Sequence, residues 1–168
     1  MLQQVKRIIC PIDFSSPSYV ALAFAAGLST SLRAELCLVH VLPKIADPGW
    51  ARPLHSNPDE VNLVLSEYER ALYTGAQRKL HEVMQQRVPE ETRPRAIVRV
   101  GEPADEILYV ADEQDADLIV IGSRGHNVRP EIFGSVTDRV ARLTRCPLLI
   151  VPASADSGSS AINGGTGD

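Results

Sequence analysis

The chain of 168 residues sets 17 Lys and Arg against 21 Asp and Glu, a formal net charge of −4. Its size is that of one domain with a real core, and its acidic balance, without any Lys/Arg-rich run, argues against a nucleic-acid binder. The longest apolar stretch, residues 19–28, reaches only about half of a membrane span, and the N-terminus lacks the apolar core of a signal peptide.

Residues 7–12 form a short apolar run, the first strand. Ser15-Ser16-Pro17-Ser18 follows as a helix start, with Ser16 as N-cap and Pro17 first in the helix. Val20, Ala21, Phe24, Ala25 and Leu28 then share one helical face. Residues 35–41 read as the second strand. A loop rich in Pro and small residues spans 43–57 and carries Trp50. Asn57, Pro58 and Glu60 make a capping box. Val61, Val64, Tyr68, Leu72, Ala76, Leu80 and Val83 continue at helical spacing to about Arg87.

Residues 96–100 are the third strand. An acidic helix over 103–113 turns Ile107, Leu108 and Ala111 inward. The fourth strand is 117–122, the fourth helix 135–145 and the fifth strand 147–151. The strands are apolar on both faces, as in a parallel sheet covered on both sides. Their alternation with helices predicts a doubly wound, Rossmann-like α/β fold with a five-stranded parallel sheet. From Ala153 onward Gly and Ser dominate, so residues 1–152 are expected to fold and 153–168 to be a disordered tail.

Cys10, Cys37 and Cys146 are odd in number, far apart and set in or beside apolar runs. They read as buried, reduced thiols, which points to a reducing, cytoplasmic compartment. No Cys/His spacing suggests zinc.

In open α/β sheets ligands bind at the carboxyl ends of the strands, where strand order reverses. Two segments fall there: Pro11-Ile12-Asp13-Phe14-Ser15, and Gly122-Ser123-Arg124-Gly125 followed by Gly134-Ser135-Val136-Thr137. Gly122 and Gly125 let backbone amides approach a phosphate. Gly134-Ser135 opens a helix whose free N–H groups and dipole favour an anion, with the Ser135 and Thr137 hydroxyls as further donors. Each element alone reads as a tight turn or a cap; together they read as a phosphate site. No Walker loop, GxGxxG turn or GxSxG elbow occurs.

These segments, with Ala116-Asp117-Leu118-Ile119-Val120-Ile121 before the glycines and Cys146-Pro147-Leu148-Leu149-Ile150-Val151 at the end, resemble the universal stress protein family. The resemblance runs over residues 5–152. It implies the strand order 3-2-1-4-5 and a homodimer, here through strand 147–151, whose apolar edge needs a partner. It also implies an ATP site. Adenosine would lie near Pro11, Asp13 and Val41, and Ile121 would line the base or ribose. The phosphates would be wrapped by Gly122, Gly125, Gly134, Ser135 and Val136, with a divalent ion such as Mg or Mn alongside. Eight residues separate Gly125 from Gly134, one fewer than the family's spacing, and Pro130 among them lacks an N–H.

Asp13 reads as an acceptor for adenosine or as a carboxylate helping the first helix. Arg124, Arg129 and His126 are phosphate partners or solvated loop residues. His40 reads as a core or strand-edge residue, and His55 and His81 as surface. The acidic run from Asp105 to Asp117 reads as a solvated face. The function expected is a dimeric, nucleotide-binding stress-response regulator that signals through a partner unknown from sequence. The alternatives are a nucleotide-free interaction module and a slow ATPase, for which no base–nucleophile pair is visible.

Overall fold

The computed structural model describes residues 4–44, 58–123 and 133–152, with side chains of the second segment described from residue 65. Trp50, His55, Asn57, Arg124, Gly125, His126, Arg129, Pro130 and the 153–168 tail lie outside the described residues, as do the side chains of Val61 and Val64.

Five strands form one parallel sheet: β1 (Arg7–Pro11), β2 (Glu35–Leu42), β3 (Arg95–Val100), β4 (Leu118–Gly122) and β5 (Leu148–Val151). Their spatial order is β3-β2-β1-β4-β5, as expected. Register pairs Ile9 of β1 with Cys37 of β2 and Ile119 of β4, and Gly122 of β4 with Val151 of β5. Strand alternation then sorts the core into two layers. Ile8, Cys10, Leu36, Leu38 and Val120 face α1 (Ser16–Leu32) and α2 (Pro58–Arg87). Ile9, Cys37, Val39, Ile119 and Ile121 face α3 (Pro103–Glu113) and α4 (Ser135–Leu143).

The cap of α1 is Ser15, not Ser16. Ser15 is extended (φ −80°, ψ 159°) and its Oγ accepts from the Ser18 N–H, so Pro17 falls second in the helix. The buried face of α1 is built from Ser18, Ala21, Leu22, Ala25, Ala26 and Ser29. All but Leu22 are small side chains, which let the helix lie close on the sheet, and Phe24 is turned out, 57% exposed.

Helix α2 buries Ala76, Leu80 and Val83, but Tyr68 and Leu72 are exposed. The cause is length. A helix of 30 residues runs about 45 Å, whereas strands of four to eight residues run only about 13–27 Å, so part of it outreaches the sheet. Helix α4 stops at Leu143, two residues early. Thr144 turns extended, its Oγ1 holds the Cys146 N–H at 3.1 Å, and Pro147 follows.

The acidic run is more than a solvated face. Asp117 accepts the N–H groups of Lys6 and Arg7 at 2.8 and 3.0 Å, which fixes the start of β1. Asp105 pairs with Arg139 at 2.8 Å, and Glu113 pairs with Arg99. Among the described residues no helix is long and apolar enough to cross a membrane.

Candidate functional site

A cleft of about 300 Å³ opens at the carboxyl ends of β1, β2 and β4. The topology puts it there. From β1 the chain order runs one way to β2 and the other way to β4, so the connections diverge and leave a gap. Pro11 and Asp13 line it from the end of β1, Val41 from β2, and Ile121 and Gly122 from β4. Gly134, Ser135 and Val136 line it from the start of α4. Of the nine residues singled out from sequence, only Gly125 is not among these, and it lies outside the described residues.

The cleft has two chemically distinct parts. Val39, Val41, Ile107 and Ile121 make an apolar wall. The other part is the N-terminus of α4, whose first-turn N–H groups have no partner within the helix. Gly134 is the N-cap, with φ −62° and ψ 152°, and supplies no capping side chain. Any residue can adopt that backbone, so conformation does not demand glycine there. Ser135 is therefore the first helical residue and not the cap. The Gly134 N–H donates to the Ser123 carbonyl at 3.0 Å, and the Ser123 N–H to Val151 at 2.8 Å. These bonds tie the neck of the Gly122–Gly134 segment to the sheet.

Thr137 plays another part than the sequence suggests. Its buried hydroxyl donates to the Gly122 carbonyl at 2.8 Å. A hydroxyl has one proton, so this group is not a donor to an anion. It fastens α4 to the end of β4 instead.

Asp13 helps the first helix, the second of the readings offered for it. Its Oδ1 accepts the Ser15 N–H at 3.0 Å and the Ser15 hydroxyl, which organises the turn into α1. The same residue is exposed at the cleft. Between them, Phe14 has φ 63°, the left-handed region that side chains of its size rarely enter. His40, by its sequence a core or strand-edge residue, also lines the cleft. Its contact with Ile12 spans 28 positions of sequence, which local pattern does not reveal.

Cys10 and Cys37 are buried away from this chemistry. Desolvation pushes the Cys37 thiol up to about 11 and Cys10 higher, which makes both inert. Among the described residues no three His, Cys, Asp or Glu side chains are placed to hold a metal ion.

Residues 4–152 match the model of the universal stress protein family. Universal stress protein Sll1654 of Synechocystis is 34% identical over 150 residues, 88% of this chain and 85% of its own. Universal stress protein MJ0577 of Methanocaldococcus jannaschii is 27% identical over 159 residues, 87% of this chain and 94% of its own. The solved structure of MJ0577 superposes with a TM-score of 0.71 at 26% identity, over 89% of this chain and 97% of that one. A universal stress protein solved in complex with cAMP shares the fold at 22% identity and a TM-score of 0.58, over 90% of this chain and 100% of its own.

Proposed function

This chain belongs to the universal stress protein family, and on that footing we propose that it is a stress-response regulator that binds ATP in the cleft and works as a cytoplasmic homodimer. One observation carries the nucleotide reading. Eight of the nine residues expected to touch ATP, drawn from four separate stretches of sequence, line one cleft. An apolar wall suits an adenine ring, and an uncapped helix N-terminus suits phosphates. The domain's acidic balance supplies no global attraction for a polyanion, so affinity must come from these local donors. A Mg or Mn ion would meet Asp13, the one acidic residue lining the cleft among the described residues, and would otherwise draw its ligands from the phosphates and water.

The dimer reading rests on β5. It pairs only with β4 among the described strands, and Leu149 and, nearby in sequence, Leu143 are exposed. The short spacing between Gly125 and Gly134 favours a second reading, a dimeric interaction module that has lost its nucleotide. Denaturing the purified protein and chromatographing the supernatant tests both. Released ATP supports the first reading, and ADP with phosphate turnover supports a slow ATPase. No nucleotide, with no thermal shift in excess Mg-ATP, supports the module.

A further inference from the structure

We propose that His40 is a positioning residue for the cleft: its ring holds the turn that carries Asp13. This rests on the nucleotide reading above for its purpose, but not for its geometry. Val39 and Val41 pack toward α3 and α4, so alternation sends the His40 side chain to the opposite face of β2. There its Nδ1 lies 2.7 Å from the Ile12 carbonyl. A carbonyl oxygen only accepts, so Nδ1 carries the proton and the ring's tautomer is fixed.

Ile12 is thereby held at both of its backbone groups. Its N–H donates to the Val39 carbonyl at 2.8 Å, and its carbonyl takes the His40 proton. Asp13 comes next in the chain. Phe14, which follows, sits in the left-handed region, and its ring centroid lies 4.5 Å from that of His40. The Lys79 ammonium of α2 lies 4.2 Å from the centre of the Phe14 ring. A bulky residue persists at positive φ only where its surroundings over-determine it. The grip on Ile12 and the ring contacts are part of those surroundings, beside the core on which Phe14 packs. Released from them, Phe14 returns to the ordinary region. The Asp13 carboxylate then leaves both Ser15 and the cleft.

The test compares His40→Leu with His40→Asn in the full chain. Asparagine places its Nδ2–H near where the histidine Nδ1–H sits, so it keeps the bond to Ile12, whereas leucine does not. The first readout needs no nucleotide: hydrogen exchange at the Ser15 amide, which donates to Asp13 Oδ1. Loss of one such bond predicts about tenfold faster exchange in His40→Leu, near wild-type exchange in His40→Asn, and no change at the Ile9 amide in either. The second readout is Mg-ATP affinity by calorimetry, expected to fall about tenfold in His40→Leu and to recover in His40→Asn. Unchanged Ser15 exchange in His40→Leu, or equal loss in both variants, overturns the proposal. A wild-type chain that binds no Mg-ATP overturns the nucleotide reading, while the exchange data still decide whether His40 holds the turn.

Discussion

The Thr137 hydroxyl donates to the Gly122 carbonyl at 2.8 Å, joining the first turn of α4 to the last residue of β4. Both residues line the cleft, and both are buried. Thr137→Val keeps the shape and removes the donor, which leaves a buried carbonyl without its partner. We predict a loss of about 1–3 kcal/mol in urea unfolding. Ser135→Ala, at the exposed neighbour, is predicted to stay within about 0.5 kcal/mol of wild type. Equal effects at the two positions would contradict the assigned roles.

Cys10 and Cys37 occupy neighbouring strands but opposite faces of the sheet. Cys10 is in register with Leu38, while Cys37 is in register with Ile9. Their side chains diverge, so no disulfide joins them without breaking the sheet. Alkylation of the native chain should modify the half-buried Cys146 first and spare the other two. Early labelling of Cys10 would count against the described core.

The same burial predicts a pH dependence. Both thiols have folded-state values above the unfolded value of about 9. Above that pH the unfolded chain binds fewer protons than the folded one, so stability falls as pH rises. It is fully present below pH 9 and declines from there toward pH 11. Each thiol contributes a slope of up to about 1.4 kcal/mol per pH unit. Unfolding free energies measured between pH 8 and 11 should show the decline, and Cys37→Ala should make it shallower. A slope unaltered by that substitution would remove Cys37 from the account.

Arg33 ends α1 in the left-handed conformation, with φ 54° and ψ 40°, and its N–H caps the Ser29 and Thr30 carbonyls. Arg33→Gly and Arg33→Ala lose the same charge but differ in backbone freedom. The glycine variant is predicted to be the more stable by about 1 kcal/mol, the reverse of their order inside a helix. Thermal unfolding of the two variants side by side settles the sign.

If two copies meet along β5, a charge on its exposed face should separate them. Wild type is expected to sediment as a dimer at micromolar concentration and Leu149→Lys as a monomer with unchanged circular dichroism. A wild-type monomer would remove the dimer from the account.

The strand order came with the family resemblance, whereas the place of the cleft was legible because the relevant residues sit at strand ends, where a parallel α/β topology must place a ligand. Pro11, Asp13, Gly122 and Gly134 are each fixed by one strand end or helix start. The rest depended on contacts that local pattern does not encode. Two adjacent serines are both good caps, and the choice of Ser15 follows from Asp13 engaging its N–H and hydroxyl. Hydropathy put Phe24 inside, but a helix lying close on a sheet prefers alanine and serine at its contact face. Periodicity extended the core along all of α2, although the sheet beneath is shorter than the helix. His40 looked like a strand residue because its partner is distant in sequence.

On the function proposed above, the cleft between β1, β2, β4 and α4 holds a nucleotide. Calorimetric titration of Mg-ATP into wild type and Val41→Trp tests it most directly, because an indole at position 41 intrudes into a cleft of only about 300 Å³. Saturable binding, one ATP per chain, is expected in wild type, and its loss in a variant that keeps the wild-type circular dichroism. No heat of binding in wild type at millimolar Mg-ATP, or undiminished binding in Val41→Trp, would contradict it.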